Sequence, residues 1–176
     1  MKEVCMNRYS VLIGRVLVFL FLFPIVSQAQ DKYLVIPPSA IRPNTYYFAD
    51  LNWHATSSEF YFETSGFPDS VFGSAAVYLP AVATVTRMYV VYTDNTNGID
   101  EEITVHLRRQ DFATGTVQTL ASVSSSSVAA SPNRRALKDD TIDYATVDWK
   151  YSYDIQVRFY ITSSNVKFHG AIIVYE

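Results

Sequence analysis

Residues 151–162 read Tyr-Ser-Tyr-Asp-Ile-Gln-Val-Arg-Phe-Tyr-Ile-Thr. Tyr151, Tyr153, Ile155, Val157, Phe159 and Ile161 share one parity, and Ser152, Asp154, Gln156, Arg158, Tyr160 and Thr162 share the other. Successive side chains of a strand point to opposite faces, so one face collects every residue of the apolar set. A helix would scatter the same residues around its circumference. The stretch therefore predicts a half-buried β-strand.

The pattern recurs on both sides of this stretch. Val166, Phe168, Gly170, Ile172 and Val174 form an inward set against Lys167, His169, Ala171, Ile173 and Tyr175, with Ile173 and Tyr175 suggesting cover on both faces near the C-terminus. Ile103, Val105 and Leu107 alternate with Thr104, His106 and Arg108, and Val117, Thr119, Ala121 and Val123 make a weaker strand. Residues 84–93 are β-branched and aromatic enough for a strand, though their inner face stays ambiguous. Turn chemistry separates these runs: Asp94 to Gly98, Ser163-Ser164-Asn165, and Ala113-Thr114-Gly115, where glycine supplies positive φ. Residues 124–140 (SSSSVAASPNRRALKDD) carry little pattern and read as a loop with at most one short edge strand.

The first half is less regular. Tyr33–Ile36, stopped by Pro37-Pro38, is a short strand, and Tyr46–Phe48, Glu59–Glu63 and Ala75–Leu79 are further candidates. The only helical hint is a turn near Pro38-Ser39-Ala40-Ile41. About eight or nine short strands with frequent turns predict an all-β fold, a single-domain antiparallel β-sandwich of jelly-roll-like form.

Residues 1–29 obey different rules. Lys2, Arg8 and Arg15 precede an apolar run from Val16 to Phe23, Pro24 breaks it, and Ser27-Gln28-Ala29 places small residues at −3 and −1 of a cleavage site. This is the order of a secretory signal peptide. A membrane anchor is the rival reading, but a spanning helix needs about 20 apolar residues, and extending this run means burying Arg15. The expected organisation is a signal peptide at 1–29 and a β-sandwich domain at 30–176, secreted or held in the periplasm or at the cell surface, with no membrane span after cleavage. The compact signal points to a bacterial source.

Of 14 basic and 17 acidic residues, three and one respectively lie in the signal, which leaves 11 against 16 and a net charge of −5. An acidic chain with only short basic pairs, Arg108-Arg109 and Arg134-Arg135, lacks the cation density that displaces counterions from nucleic acid. Both pairs read as solvated faces or loop residues. The single cysteine, Cys5, lies in the signal, so the domain has no disulfide and no thiolate ligand, and its core must hold it.

No catalytic constellation emerges. His54, His106 and His169 lie far apart without zinc spacing, His106 and His169 fall on polar strand faces, and no serine stands in a Gly-x-Ser-x-Gly elbow. The domain is read as not an enzyme, with a hydrolase as the third alternative, and no cofactor is implied. The acidic turn offers a weak calcium candidate in Asp94, Asn97, Asp100 and Glu102, but its alternating positions lack the ligands of an EF-hand loop. A polar hairpin turn is the plainer account. Aromatics give the one lean toward binding: Tyr46, Tyr47, Phe48, Trp53, Phe60, Tyr61, Phe62, Phe67 and Phe72 crowd one segment, and consecutive rings in a strand must face both sides. Core, sheet edge and subunit interface are the ordinary uses of such rings. A saccharide surface is the alternative, with Trp53, Tyr61 and Trp149 as its first ligand-binding candidates.

The run Tyr33-Leu34-Val35-Ile36-Pro37, then Ile41-Arg42-Pro43, Tyr78-Leu79-Pro80 leading into Val85–Tyr92, the turn from Asp94, the strand Ile103–Arg108 and the ending Phe168–Tyr175 together resemble a group of uncharacterised bacterial secreted β-sandwich proteins. The resemblance spans nearly all of residues 31–176, implies the sandwich, and carries no activity. The ending alone is similar to the last strand of C1q and tumour-necrosis-factor-type jelly rolls, which implies trimerisation. The sequence thus favours a secreted, non-catalytic structural or interaction domain that associates with protein or with itself as a homo-oligomer. A carbohydrate-binding module that takes a glycan partner is the alternative.

Overall fold

A computed structural model describes residues 30–44, 52–63, 70–96, 102–126, 128–160 and 164–176. The expected signal, the candidate strand at Tyr46–Phe48, and Tyr47, Phe67, Asn97 and Asp100 lie outside them. Residues Asp31–Glu176 form one compact unit, and no helix among the described residues is long and apolar enough to cross a membrane.

The unit is all-β. Its strands are β1 (Lys32–Ile36), β2 (Arg42–Pro43), β3 (Asn52–Ala55), β4 (Phe60–Glu63), β5 (Val71–Val77), β6 (Val85–Asp94), β7 (Ile103–Asp111), β8 (Val117–Ser124), β9 (Ser131–Asp139), β10 (Tyr151–Phe159) and β11 (Val166–Tyr175), with a 3₁₀ turn at Pro38–Ala40. Two antiparallel sheets face each other. One runs β3-β4-β11-β6-β9 with β1 beside β11, and the other runs β2-β5-β10-β7-β8. The eleven strands among the described residues exceed the eight or nine expected because β2 and β3, at two and four residues, are too short to leave a periodic signature, and β9 lacks one.

β10 behaves as its alternation dictates. Tyr153, Ile155, Val157 and Phe159 are buried while the intervening residues are half-exposed. It is the middle strand of its sheet, paired with β5 and β7. Across the sandwich, Phe60, Phe62 and Phe159 form a ring cluster with centroids 5.1 to 5.9 Å apart, within the range where tilted and edge-to-face contacts add to area burial. Gly73 makes this packing possible. A Cβ there would stand 2.6 Å from Ile41 Cγ2 and 2.8 Å from Phe60 Cζ.

β11 departs from the expected parity. Val166 and Phe168 point inward, but the register with β6 shifts between Phe168 and Gly170, and beyond that bulge Ala171 and Ile173 take the core positions. The inward set predicted from sequence is therefore reversed after Gly170, since one extra residue in a strand flips every later side chain. Gly170 sits at φ 137°, where a side chain is strained, with Ile36 O 3.2 Å from where its Cβ would stand.

Residues 131–139 also correct the loop reading. They form β9, a nine-residue edge strand paired with β6 from Met88↔Asp139 to Asp94↔Ser131. Only Leu137 packs against the core as a partly buried apolar residue, so hydrophobic alternation is nearly absent. Pro132, Arg134 and Lys138 instead blunt the open edge.

The end of the sandwich near Asp94 is sealed by hydrogen bonds. Ser125 Oγ donates to Asp94 Oδ2, and Ser125 Oγ accepts from the Ile103 amide at 3.1 Å. Thr96 donates to Asp94 Oδ1 through its amide at 3.2 Å and its hydroxyl at 2.5 Å. Asp94 is buried and thereby ties β6 of one sheet to the segment after β8 of the other.

Candidate functional site

The opposite end of the sandwich carries the long connection from β9 to β10. Residues 140–150 contain no regular strand, yet backbone bonds fasten them to several elements. The Asp143 amide donates to Leu120 O at 2.9 Å, Val85 N–H to Ala145 O at 2.8 Å, and Val147 N–H to Ala83 O at 2.8 Å. Thr84 and Thr146 form a β-bridge. Phe112 N–H donates to Lys150 O at 3.1 Å, and the Asp148 amide donates to Tyr153 Oη at 2.9 Å. A segment with this many backbone partners is a fixed support rather than a free loop.

On this support lies a cleft of about 320 Å³ lined by Arg109, Tyr144, Ala145, Thr146, Asp148, Lys150 and Tyr151. That is near the lower bound for small-molecule sites. The Arg109 guanidinium carbon lies 4.1 Å from the ring centroids of both Tyr144 and Tyr151, and its Nε donates to Gln118 Oε1 at 2.8 Å. Tyr144 takes φ 50°, a conformation side chains seldom adopt, and remains 53% exposed. Asp148 pairs with Lys150 at 3.4 Å and accepts the Lys150 amide at 3.1 Å. Trp149, between them, is 84% exposed. Val82 and Phe112, whose amides bond Val147 O and Lys150 O of the same loop, are exposed as well. Isolated exposed apolar residues are ordinary, but a group of large ones around a polar cleft is the usual mark of a contact surface.

The three ring candidates do not converge. Trp53 and Tyr61 belong to the β3–β4 hairpin, but on opposite faces. Trp53 is opposite Phe62 and leans on Phe60 at 6.5 Å, which leaves it 41% exposed. Tyr61 stacks on His54 at 4.7 Å, with Lys167 Nζ 4.9 Å from its centroid. This hairpin joins β11 at Phe168, whereas Trp149 stands at the end where β11 finishes. Of the three, Trp149 alone is flanked in sequence by residues that line the cleft, Asp148 and Lys150. Arg109 stood out from sequence only as half of a basic pair, and Tyr144, Asp148 and Lys150 not at all. The signal available was the run Tyr144–Tyr151, which mixes three aromatics with two charges between strands.

The reading of the Arg108-Arg109 pair as solvated also needs correction. Arg108 makes a two-point ion pair with Asp154 at 2.8 and 3.1 Å, and Arg109 is held by two rings. Arg134 is exposed as expected, and Arg135 donates to Ala129 O at 2.6 Å. Neither strand histidine is freely solvated. Burial, reinforced by Arg108 and Arg158, lowers the pKa of His106, whose Nδ1 is buried with no hydrogen-bond partner among the described residues. His169 Nδ1 donates to Ser58 O at 2.7 Å and Nε2 bonds Thr93 Oγ1 at 2.8 Å. Burial lowers its pKa too.

Of the calcium candidates, Asp94 spends both oxygens on Ser125 and Thr96, and Glu102 Oε2 accepts from Ser124 Oγ at 2.9 Å. Among the described residues no three His, Cys, Asp or Glu side chains are grouped to hold a metal.

No family model matches the chain, and no curated protein does. Solved structures similar to it include the C-terminal CBM6 of LamC, a marine laminarinase from Zobellia galactanivorans, at TM-score 0.48 and 10% identity, covering 81% of this chain and 98% of that one. The xylan-binding module CBM15 matches at TM-score 0.47 and 14% identity, covering 82% and 97%. The mannan-recognising module TmCBM27 matches at TM-score 0.46 and 10% identity, covering 84% and 99%. These likenesses concern the two-sheet layout and transfer no residue role.

Proposed function

We propose that the protein is a non-catalytic saccharide-binding module, exported by the signal at 1–29, whose site is the cleft at the end of the sandwich. The observation that carries this reading is an 84% exposed Trp149 standing in sequence between Asp148 and Lys150, both of which line a cleft that also presents Tyr144. The C–H groups on one side of a pyranose ring meet the electron-rich face of an aromatic ring, and hydroxyls need fixed polar partners beside it. Asp148, Thr146, Lys150 and the guanidinium of Arg109 supply such partners. The support beneath is already ordered, so little entropy is lost on binding.

The test is a glycan array on the purified protein, followed by titration of Trp149→Ala. Binding that drops at least tenfold with an unchanged melting temperature supports the site, because an indole this exposed contributes little to folding. An array with no binding glycan, or full binding by the variant, rejects it.

A second reading, association with another copy of the chain, rests on Tyr33 and Val35, exposed at 64% and 62% on β1. Sedimentation of wild type beside Tyr33→Lys tests it: a dimer or larger species that dissociates in the variant supports self-association, and a monomer at all concentrations removes it.

A further inference from the structure

We propose that the saccharide taken by this cleft carries a carboxylate, and that Arg109 reads it. The inference rests on the saccharide reading of the same site and names its ligand class.

Three features of Arg109 point this way. First, its orientation is set before any ligand arrives: Tyr144 and Tyr151 lie against the guanidinium at 4.1 Å each, and Gln118 Oε1 holds Nε at 2.8 Å. Second, these contacts use the faces and one N–H and leave the two terminal nitrogens without a hydrogen bond among the described residues. Two parallel N–H donors in one plane match a carboxylate in a way that a point charge does not. Third, the charge is not cancelled within the cleft. Its only other ionic side chains, Asp148 and Lys150, pair with each other. Asp111, opposite Tyr151 in the ladder, turns its carboxylate to the amides of Ala113 and Thr114 at 2.8 and 2.9 Å. An uncompensated guanidinium fixed in the binding cleft serves an anionic ligand better than a neutral one.

The test compares pectate, alginate and hyaluronan oligosaccharides, each beside its carboxyl-reduced neutral form, by calorimetric titration of the wild-type protein. A sulfated dextran oligosaccharide forms a separate arm. At least one uronate oligosaccharide is expected to bind ten times more tightly than its reduced form. Arg109→Lys, which keeps the charge and loses the fork, is expected to narrow the preference for that ligand over its reduced form at least fivefold. Equal affinity for the paired forms, or preference for the sulfated sugar over every uronate, overturns the inference while leaving saccharide binding intact. Failure of all sugars, charged and neutral, overturns both. The wild-type comparison needs no variant, so a poorly folded Arg109→Lys protein does not spoil it.

Discussion

The ring of Tyr144 lies 4.1 Å from the guanidinium carbon of Arg109, and it gets there from a backbone at φ 50°. A left-handed conformation costs a non-glycine residue about 1–2 kcal/mol. Asparagine tolerates it better than tyrosine does. Contact between the ring and the cation returns roughly 0.5–1 kcal/mol, so strain and contact nearly offset each other.

Tyr144→Asn should therefore leave the melting temperature within about 3 °C of wild type, by the usual relation between stability and melting temperature for a domain of this size. Its saccharide affinity should fall at least tenfold. A scanning calorimetry trace and a titration on the same sample check both halves. A large loss of stability would show that the ring holds the loop rather than the ligand.

Gly170→Ala should destabilise the fold by about 1–3 kcal/mol, the range for forcing a side chain into a disfavoured backbone region. The new methyl also crowds Ile36 O at 3.2 Å, where β1 meets β11. Urea denaturation measures the cost. A midpoint equal to wild type would mean that the bulge can relax into a regular ladder.

Asp94→Ala and Ser125→Ala should each cost about 1–3 kcal/mol, because each strands a buried polar partner. Residues of one hydrogen-bonded network are not independent, so the double variant should cost less than the two single losses combined. A double-mutant cycle by chemical denaturation reads this directly. Strict additivity would deny that the pair joins the sheets.

Stability should fall on mild acidification. Histidine in an unfolded chain titrates near 6.5. Burial holds both His106 and His169 below that in the fold, and the cations Arg108 and Arg158 push His106 further the same way. As the pH drops below 6.5 the unfolded chain takes up protons that the folded chain refuses. Stability is thus lost from about pH 7 downward and levels off below the depressed folded values. Melting temperatures between pH 7.5 and 5 should show this decline, and His106→Gln should flatten it. Carboxylates titrate near 4 and lie outside that window. A slope unchanged by the substitution would place its origin elsewhere.

How much of this was readable in advance depended on what each segment buries. β10 is the central strand of its sheet, so half of its residues must be apolar and its period is plain. β11 is also central, but the bulge before Gly170 shifts its phase. No pattern of alternation reveals where an extra residue sits. β9 is an edge strand with one residue leaning on the core, and its identity comes from backbone pairing to β6, which leaves no mark on side-chain chemistry. The site divides the same way. Trp149 stood out as a large ring among turn residues. Arg109 did not, because what makes it unusual is the meeting of β7 with a loop more than thirty positions later, and only the folded chain brings these together.

The backbone tethers under residues 140–150 have a practical corollary. They run through main-chain atoms, whereas the projecting side chains of Trp149, Phe112 and Tyr78 contribute nothing to the interior. The molecule is in effect a socket with interchangeable fittings. Randomising those three positions should yield a library of receptors for unrelated compounds, all displayed on one unaltered frame whose residues 30–176 contain no cysteine.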